Sequence, residues 1–154
     1  MMYTSFSDET WRAFRAENRP GPLQMLNLIR LREKAIYPDG RATAEKAMTG
    51  LEAYAEYSRI SAAPAQACGM RIVWRGRFEL TLIGPETEQW DICFVAEYPG
   101  IEAFVSLMRD PDYRTAMAHR QAGVADSRLI RLGAVPLGRT FLGEPIGLSS
   151  RGSR

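Results

Sequence analysis

Apolar and polar positions along the chain fall into a short leading helix followed by strand, helix, strand, strand, helix and strand. Ser7–Asn18 predicts an amphipathic helix. Ser7 can cap it, Asp8 and Glu9 suit its positive end, and Trp11 and Phe14 share one face before "RPGP" stops it. Pro22–Glu33, "PLQMLNLIRLRE", predicts a strand with Leu23, Met25, Asn27, Ile29 and Leu31 on one side and Gln24, Leu26, Leu28, Arg30 and Arg32 on the other. Both sides are apolar in the middle, which predicts a strand covered on both faces. "YPDG" marks a turn. Thr43–Ala63 predicts a helix, loosened at Gly50 and ended by Pro64, with Ala47, Met48, Leu51, Tyr54, Ala55, Ser58 and Ala62 on its inner arc.

"GMRIVWRGRFELTLIG" alternates as one long strand. Met70, Ile72, Trp74, Phe78, Leu80 and Leu82 take one side; Arg71, Arg75, Arg77, Glu79 and Thr81 take the other. Gly76 inside it marks a bulge or a close approach. "GPETEQ" reads as a hairpin connection and "WDICFVAEY" as the partner strand. The stretch from Pro99 to Gly123 is helical in two pieces, broken near Pro111, with Ile101, Phe104, Val105 and Met108 facing in and Asp110 capping the second piece. Ser127–Val135 is the last strand.

Without the leading helix, this order is the ferredoxin-like βαββαβ arrangement: an α+β fold with an antiparallel sheet and its helices on one face. The expected organisation is a single domain, 1–154, with an extra helix at 7–19, a core at 22–135, and an extension at 136–154 whose end is mobile. The sheet face away from the helices is too apolar to stand in water. A second copy of the same sheet, in a two-fold homodimer closed as a barrel, covers it economically. The alternative is a monomer covered by its own leading helix and tail.

Composition narrows the function classes. The 45% hydrophobic and 25% charged residues are those of a folded globular chain, and a net charge of +2 with dispersed arginines gives no footing for nucleic acid. The N-terminus shows no signal-peptide pattern and no apolar run is long enough to span a membrane, so the expected location is cytoplasmic, with no membrane partner. Cys68 and Cys93 sit in or near apolar stretches, as reduced buried thiols do. No metal-ligand spacing, nucleophilic serine motif or phosphate-binding glycine loop occurs, and no cofactor is expected.

The one histidine, His119, adjoins Arg120 in "RTAMAHRQAGV". Stepping 100° per residue from Asp112 puts Ala116 at about 40°, Arg120 at about 80°, Tyr113 at about 100° and Met117 at about 140°. Arg120 therefore faces the sheet, and His119 lies on the flank, at a pocket rim where an imidazole can move a proton. A buried guanidinium needs a partner. It either pairs with a carboxylate such as Asp91 or Asp126, or with the last helical carbonyls, or it holds an anionic or carbonyl ligand. Asn27 among apolar neighbours needs a hydrogen-bond partner in the sheet or on a ligand. Tyr113 lies on the inner arc with a hydroxyl to satisfy. Trp74 follows the apolar side of its strand, Tyr57 lies off the inner arc of its helix, and Asp91 opens its strand. The candidate catalytic residues are thus His119, Arg120 and Tyr113; the candidate ligand contacts are Asn27, Trp74, Tyr57 and Asp91; no metal ligand is expected.

In order, "MLNLIRLR", "YAEYS", "GMRIVWRG", "WDICFVAEYPGIEAFVSLMRDPDY" and "HRQAGVADSRLI" resemble the domain-of-unknown-function family 1330, within the dimeric α+β barrel superfamily, over roughly Leu23–Leu132. The resemblance implies a ferredoxin-like fold and a side-by-side dimer, and it implies no established reaction. Superfamily members include cofactor-free monooxygenases, haem-degrading enzymes and small isomerases, with ligands between helices and sheet. The haem-degrading members carry a tryptophan in the second helix where this chain has Leu107 and Met108. The expected function is a cofactor-free monooxygenase- or isomerase-like enzyme for a small carbonyl, enol or carboxylate compound. The alternatives are a non-catalytic ligand-binding dimer or a haem-binding protein.

Overall fold

The computed structural model describes residues 2–38 and 47–144. The elements are α1 (Asp8–Ala16), β1 (Leu23–Leu31), α2 (Gly50–Ala67), β2 (Arg71–Gly76), β3 (Ile92–Tyr98), α3 (Ile101–Arg109), α4 (Pro111–Gly123) and β4 (Val124–Gly133). The four strands form one antiparallel sheet in the order β2-β3-β1-β4. This is the ferredoxin-like α+β fold with an added N-terminal helix.

Strand alternation sorts the sheet into two faces. Leu23, Met25 and Ile29 of β1, level with Tyr98, Ala96 and Ile92 of β3, face the helices. There they pack with Ala65, Phe104, Leu107 and Tyr113 in one cluster and with Tyr54 and Val124 in another. Leu26 and Leu28, level with Val95, Cys93, Ile130 and Arg128, face away.

Local chemistry sets the helix ends. Ser7 accepts from the Thr10 amide and opens α1. The Asp110 carboxylate accepts from the amides of Asp112 and Tyr113, with Pro111 in the first turn of α4. The break between α3 and α4 falls where the sequence puts it.

Two expected elements differ. The α2 helix starts at Gly50, because Thr49 and Glu52 form a reciprocal capping box. Just before it the chain is extended: Lys34 bridges Thr49, and the Ala35 amide donates to the Met48 carbonyl. The expected helical turns at 43–46 lie outside the described residues, as do part of "YPDG" and the expected mobile end from 145 onward. At its other end α2 runs through Pro64 to Ala67. The expected long strand stops at Gly76, and Arg77–Gln89 carries no strand, leaving Leu80, Leu82 and Ile83 exposed. Gly76 does mark a close approach: a Cβ there would lie 2.7 Å from the Trp74 indole.

The helix layer closes through glycine. A Cβ on Gly123 would lie 2.6 Å from the Gly50 carbonyl, and one on Gly50 2.0 Å from the Arg32 carbonyl. These contacts seat the end of α4 on the start of α2.

Candidate functional site

The helices do not fill the inner face of the sheet. Between them and the strands lies a cavity of about 1690 Å³, bordered also by α1 and by the extended segment before it. Its walls are mostly apolar and aromatic. Tyr54 and Tyr57 of α2, Tyr113 of α4 and Tyr98 of β3 supply hydroxyls among them.

Tyr113 is buried, and its hydroxyl bonds that of Tyr57 at 2.9 Å across rings set edge to face. Burial pushes the Tyr113 phenol well above its ordinary pKa, with Tyr57 adding to the shift. The same desolvation raises Tyr54 and Tyr98. These hydroxyls stay protonated at neutral pH, so they act as hydrogen-bond donors rather than bases.

Arg120 does face inward, with 9% of its surface exposed. Its Nη1 donates to the Thr4 carbonyl at 3.0 Å. The expected carboxylate partners are taken elsewhere. Asp126 accepts from the Tyr3 and Ser127 amides and pairs with Arg128 at 2.9 Å and Arg30 at 3.6 Å. Asp91 accepts from the Leu31 amide at 2.7 Å, clamping the end of β1, and does not border the cavity. Among the described residues no carboxylate reaches Arg120 within ion-pair distance. Asn27 borders the cavity too, its amide nitrogen donating to the Met25 carbonyl at 3.0 Å.

Like Asp91, two further residues picked from the sequence lie elsewhere. His119 bonds Tyr37 through Nδ1 at 2.7 Å, edge to face, on the side of α4 where Ala122, Ala53 and Tyr37 cluster. It does not border the cavity. Trp74 sits on the far face, level with Val95 and half exposed. The reason is a bulge between Ile72 and Trp74 that shifts the alternation by one residue. The same shift turns Arg75, level with Phe94, toward the cavity. Simple alternation could not find Arg75. Tyr57 falls off the arc drawn through Ala47, Met48, Leu51 and Tyr54, but the buried side of α2 runs through Gly50, Ala53, Tyr54, Ser61, Pro64 and Ala65, and Tyr57 lies among these, bonded to Tyr113. Tyr54, on the expected inner arc, borders the site too, and Arg131, Tyr3 and Thr4 do so with no signal in the sequence.

Among the described residues no three His, Cys, Asp or Glu side chains gather to hold a metal ion, and no helix is long and apolar enough to cross a membrane. His119, the histidine that a haem could take as its axial ligand, is bonded to Tyr37 and does not border the cavity.

The arrangement is a wide aromatic cavity with a carboxylate-free guanidinium on its wall. The chain belongs to the family described as a domain of unknown function, DUF1330, whose pattern matches residues 42–132. A protein of unknown function from Rhodopseudomonas palustris is 50% identical over 88% of this chain and 98% of its own, with a TM-score of 0.82. A crystal structure of its methylated form gives 51%, 90%, 98% and 0.84. A dimeric ferredoxin-like protein of unknown function from Thermobifida fusca is 18% identical over 76% of this chain and 94% of its own; its TM-score of 0.46 bears on neither function nor assembly. No curated protein matches the sequence.

Proposed function

We propose that this protein binds a small, partly apolar molecule carrying a carbonyl, enol or carboxylate oxygen between its helices and sheet, and acts on it without a cofactor. One observation carries the reading: Arg120, nine-tenths buried beside an aromatic cavity, has a backbone carbonyl for a partner and no counter-charge among the described residues. An uncompensated buried cation is costly, and an anionic ligand relieves it. Arg120 holds the anionic oxygen in its fork, Asn27 bonds a neighbouring oxygen, and the Tyr57–Tyr113 pair donates to charge developing on an enolate. Isomerisation moves a proton from the carbon beside the carbonyl and returns it at a new position. Oxygenation lets the same anion reduce dioxygen, one oxygen atom entering the product as a carbonyl and the other leaving as water. Both pass through the ionised substrate that this wall stabilises. The non-catalytic alternative draws support from the shortage of a base: Glu17 is the one carboxylate among the described residues bordering the cavity.

Thermal-shift and calorimetric screening against small phenols, keto acids and fatty or aromatic acids tests the site. Binding by at least one class, weakened about tenfold or more in Arg120→Ala, is expected. Binding that Arg120→Ala leaves intact would sink the reading. Turnover under air, measured on the ligand found, separates enzyme from binder.

The homodimer also belongs to this reading. Away from the helices, Leu26, Leu28, Val95, Trp74, Ile130 and Leu132 form an apolar centre. It is rimmed by Arg71–Glu97 on one side and by Arg30, Asp126, Arg128 and Glu88 on the other. Trp74, Ile130 and Leu132 remain 50%, 44% and 42% exposed, and α1 lies on the opposite face against Phe104. An apolar centre with a charged rim suits a self-complementary two-fold contact.

A further inference from the structure

The charges around the cavity are one-sided. Arg71 and Arg128 have carboxylate partners, whereas Arg75, Arg120 and Arg131 have none among the described residues. Arg120 and Arg131 share a further property. Arg131 donates through Nη1 to the Phe14 carbonyl at 3.0 Å, its guanidinium lies 4.9 Å over the Phe14 ring, and its Nη2 is buried without an acceptor. Each of the two arginines therefore borders the cavity and holds one backbone carbonyl of the N-terminal segment, Thr4 at one end and Phe14 at the other.

The strand register sets their separation. The Tyr3 carbonyl, next to Thr4, accepts from the Ser127 hydroxyl at 2.7 Å, which brings the Arg120 end level with the start of β4. Arg131 stands four residues further along that strand, roughly 13 Å away. Between them Leu129 lies opposite Asn27, and the floor is otherwise apolar. The helix above this line, α1, has no fully buried residue and rests on the core through Trp11 and Phe14, which pack against Phe104.

We infer that the ligand is an elongated apolar molecule with an acidic group at each end, one on Arg120 and the other on Arg131, lying along β4 beneath the N-terminal segment. The inference rests on the cavity reading proposed above and names its substrate class. A molecule with one acidic group leaves the second guanidinium without a carboxylate and the buried Nη2 of Arg131 without an acceptor; one with two serves both. An extended chain advancing about 1.3 Å per carbon covers such a gap with about eight to twelve carbons, allowing for the reach of the two side chains.

Calorimetry of the full chain with linear α,ω-dicarboxylates of four to fourteen carbons, beside monocarboxylates of equal length, tests this. The expected result is an optimum near eight to twelve carbons, with the diacid at least about tenfold tighter than the matching monoacid. Arg131→Gln is expected to remove that advantage while leaving monoacid binding; Arg120→Ala is expected to weaken both. The length series on the unaltered protein needs no variant to fold. Diacids binding no better than monoacids, or without a length optimum, would overturn the inference and leave the cavity reading standing if monoacid binding still depends on Arg120. No binding of any acid would overturn the inference, and the cavity reading falls with it if phenols and neutral carbonyl compounds also fail to bind.

Discussion

The two faces of the sheet are built from the same strands and end differently. On the helix side Leu23 and Ile29 are 0% exposed and Met25 3%, yet the covering layer leaves a cavity over Asn27 and Phe94. On the far side Leu26, Leu28 and Val95 are flanked by Trp74, Ile130 and Leu132, which stand exposed among the described residues. The inner face thus has its own lid but incomplete packing, and the outer face has an apolar centre but no lid. The proposed ligand site rests on the incomplete packing beside a buried cation, and the proposed interface on the apolar centre with its charged rim.

That contrast can be broken from the inside most severely at the helix seam. Gly123→Val places methyl groups where even a Cβ would be 2.6 Å from the Gly50 carbonyl. Backbone must move, and a loss of about 3 kcal/mol is expected in urea unfolding. A change below about 1 kcal/mol would mean that α2 and α4 are not seated as described.

Next comes the rim of the outer face. Asp126 serves two backbone amides and two arginines, so Asp126→Ala is expected to cost about 2 kcal/mol. Burial by itself would raise the Asp126 pKa, but the Tyr3 amide, Arg128 and the Ser127 amide together lower it. A carboxyl with a depressed folded pKa stabilises fully above its unfolded value of about 3.9, and that stabilisation fades as pH falls through the folded value. The stability gap between the protein and Asp126→Asn should therefore be steady above about pH 5 and shrink below about pH 4. A gap that widens on acidification contradicts this assignment.

Inside the cavity, Tyr113→Phe removes one hydroxyl and leaves Tyr57 without its partner. A loss of about 1 kcal/mol is expected, with ligand affinity changed less than by Arg120→Ala. Equal losses of affinity in the two variants would put the tyrosine pair, not the arginine, at the anion.

The mildest effect on the chain itself is expected at the centre of the outer face. Trp74→Arg alters a half-exposed side chain and should change intrachain stability by less than about 1 kcal/mol, while halving the sedimenting mass if two copies meet there. Unchanged mass at high concentration in both forms would remove the interface from this face.

Much of this was written in local pattern. Alternation along β1 assigns every side chain to its face, and the wheel of α4 turns Arg120 inward. Asp110, Pro111 and Ser7 mark their helix ends through hydrogen bonds reaching three residues or fewer. Such signals survive in the sequence because both partners are near neighbours, so spacing alone encodes them. What eluded pattern were events involving a distant strand or segment. The bulge against β3 exchanged Trp74 for Arg75 at the cavity, and the bridge from Lys34 to Thr49 held the chain extended up to Gly50. Tyr37 took His119 away from the site, and Thr4, over a hundred residues from Arg120, supplied its acceptor. By itself the sequence determined the order of elements, their periods and the inward arginine. Only the tertiary structure decided which charges find partners, because that depends on groups brought together by folding, whose distance along the chain carries no trace of their distance in space.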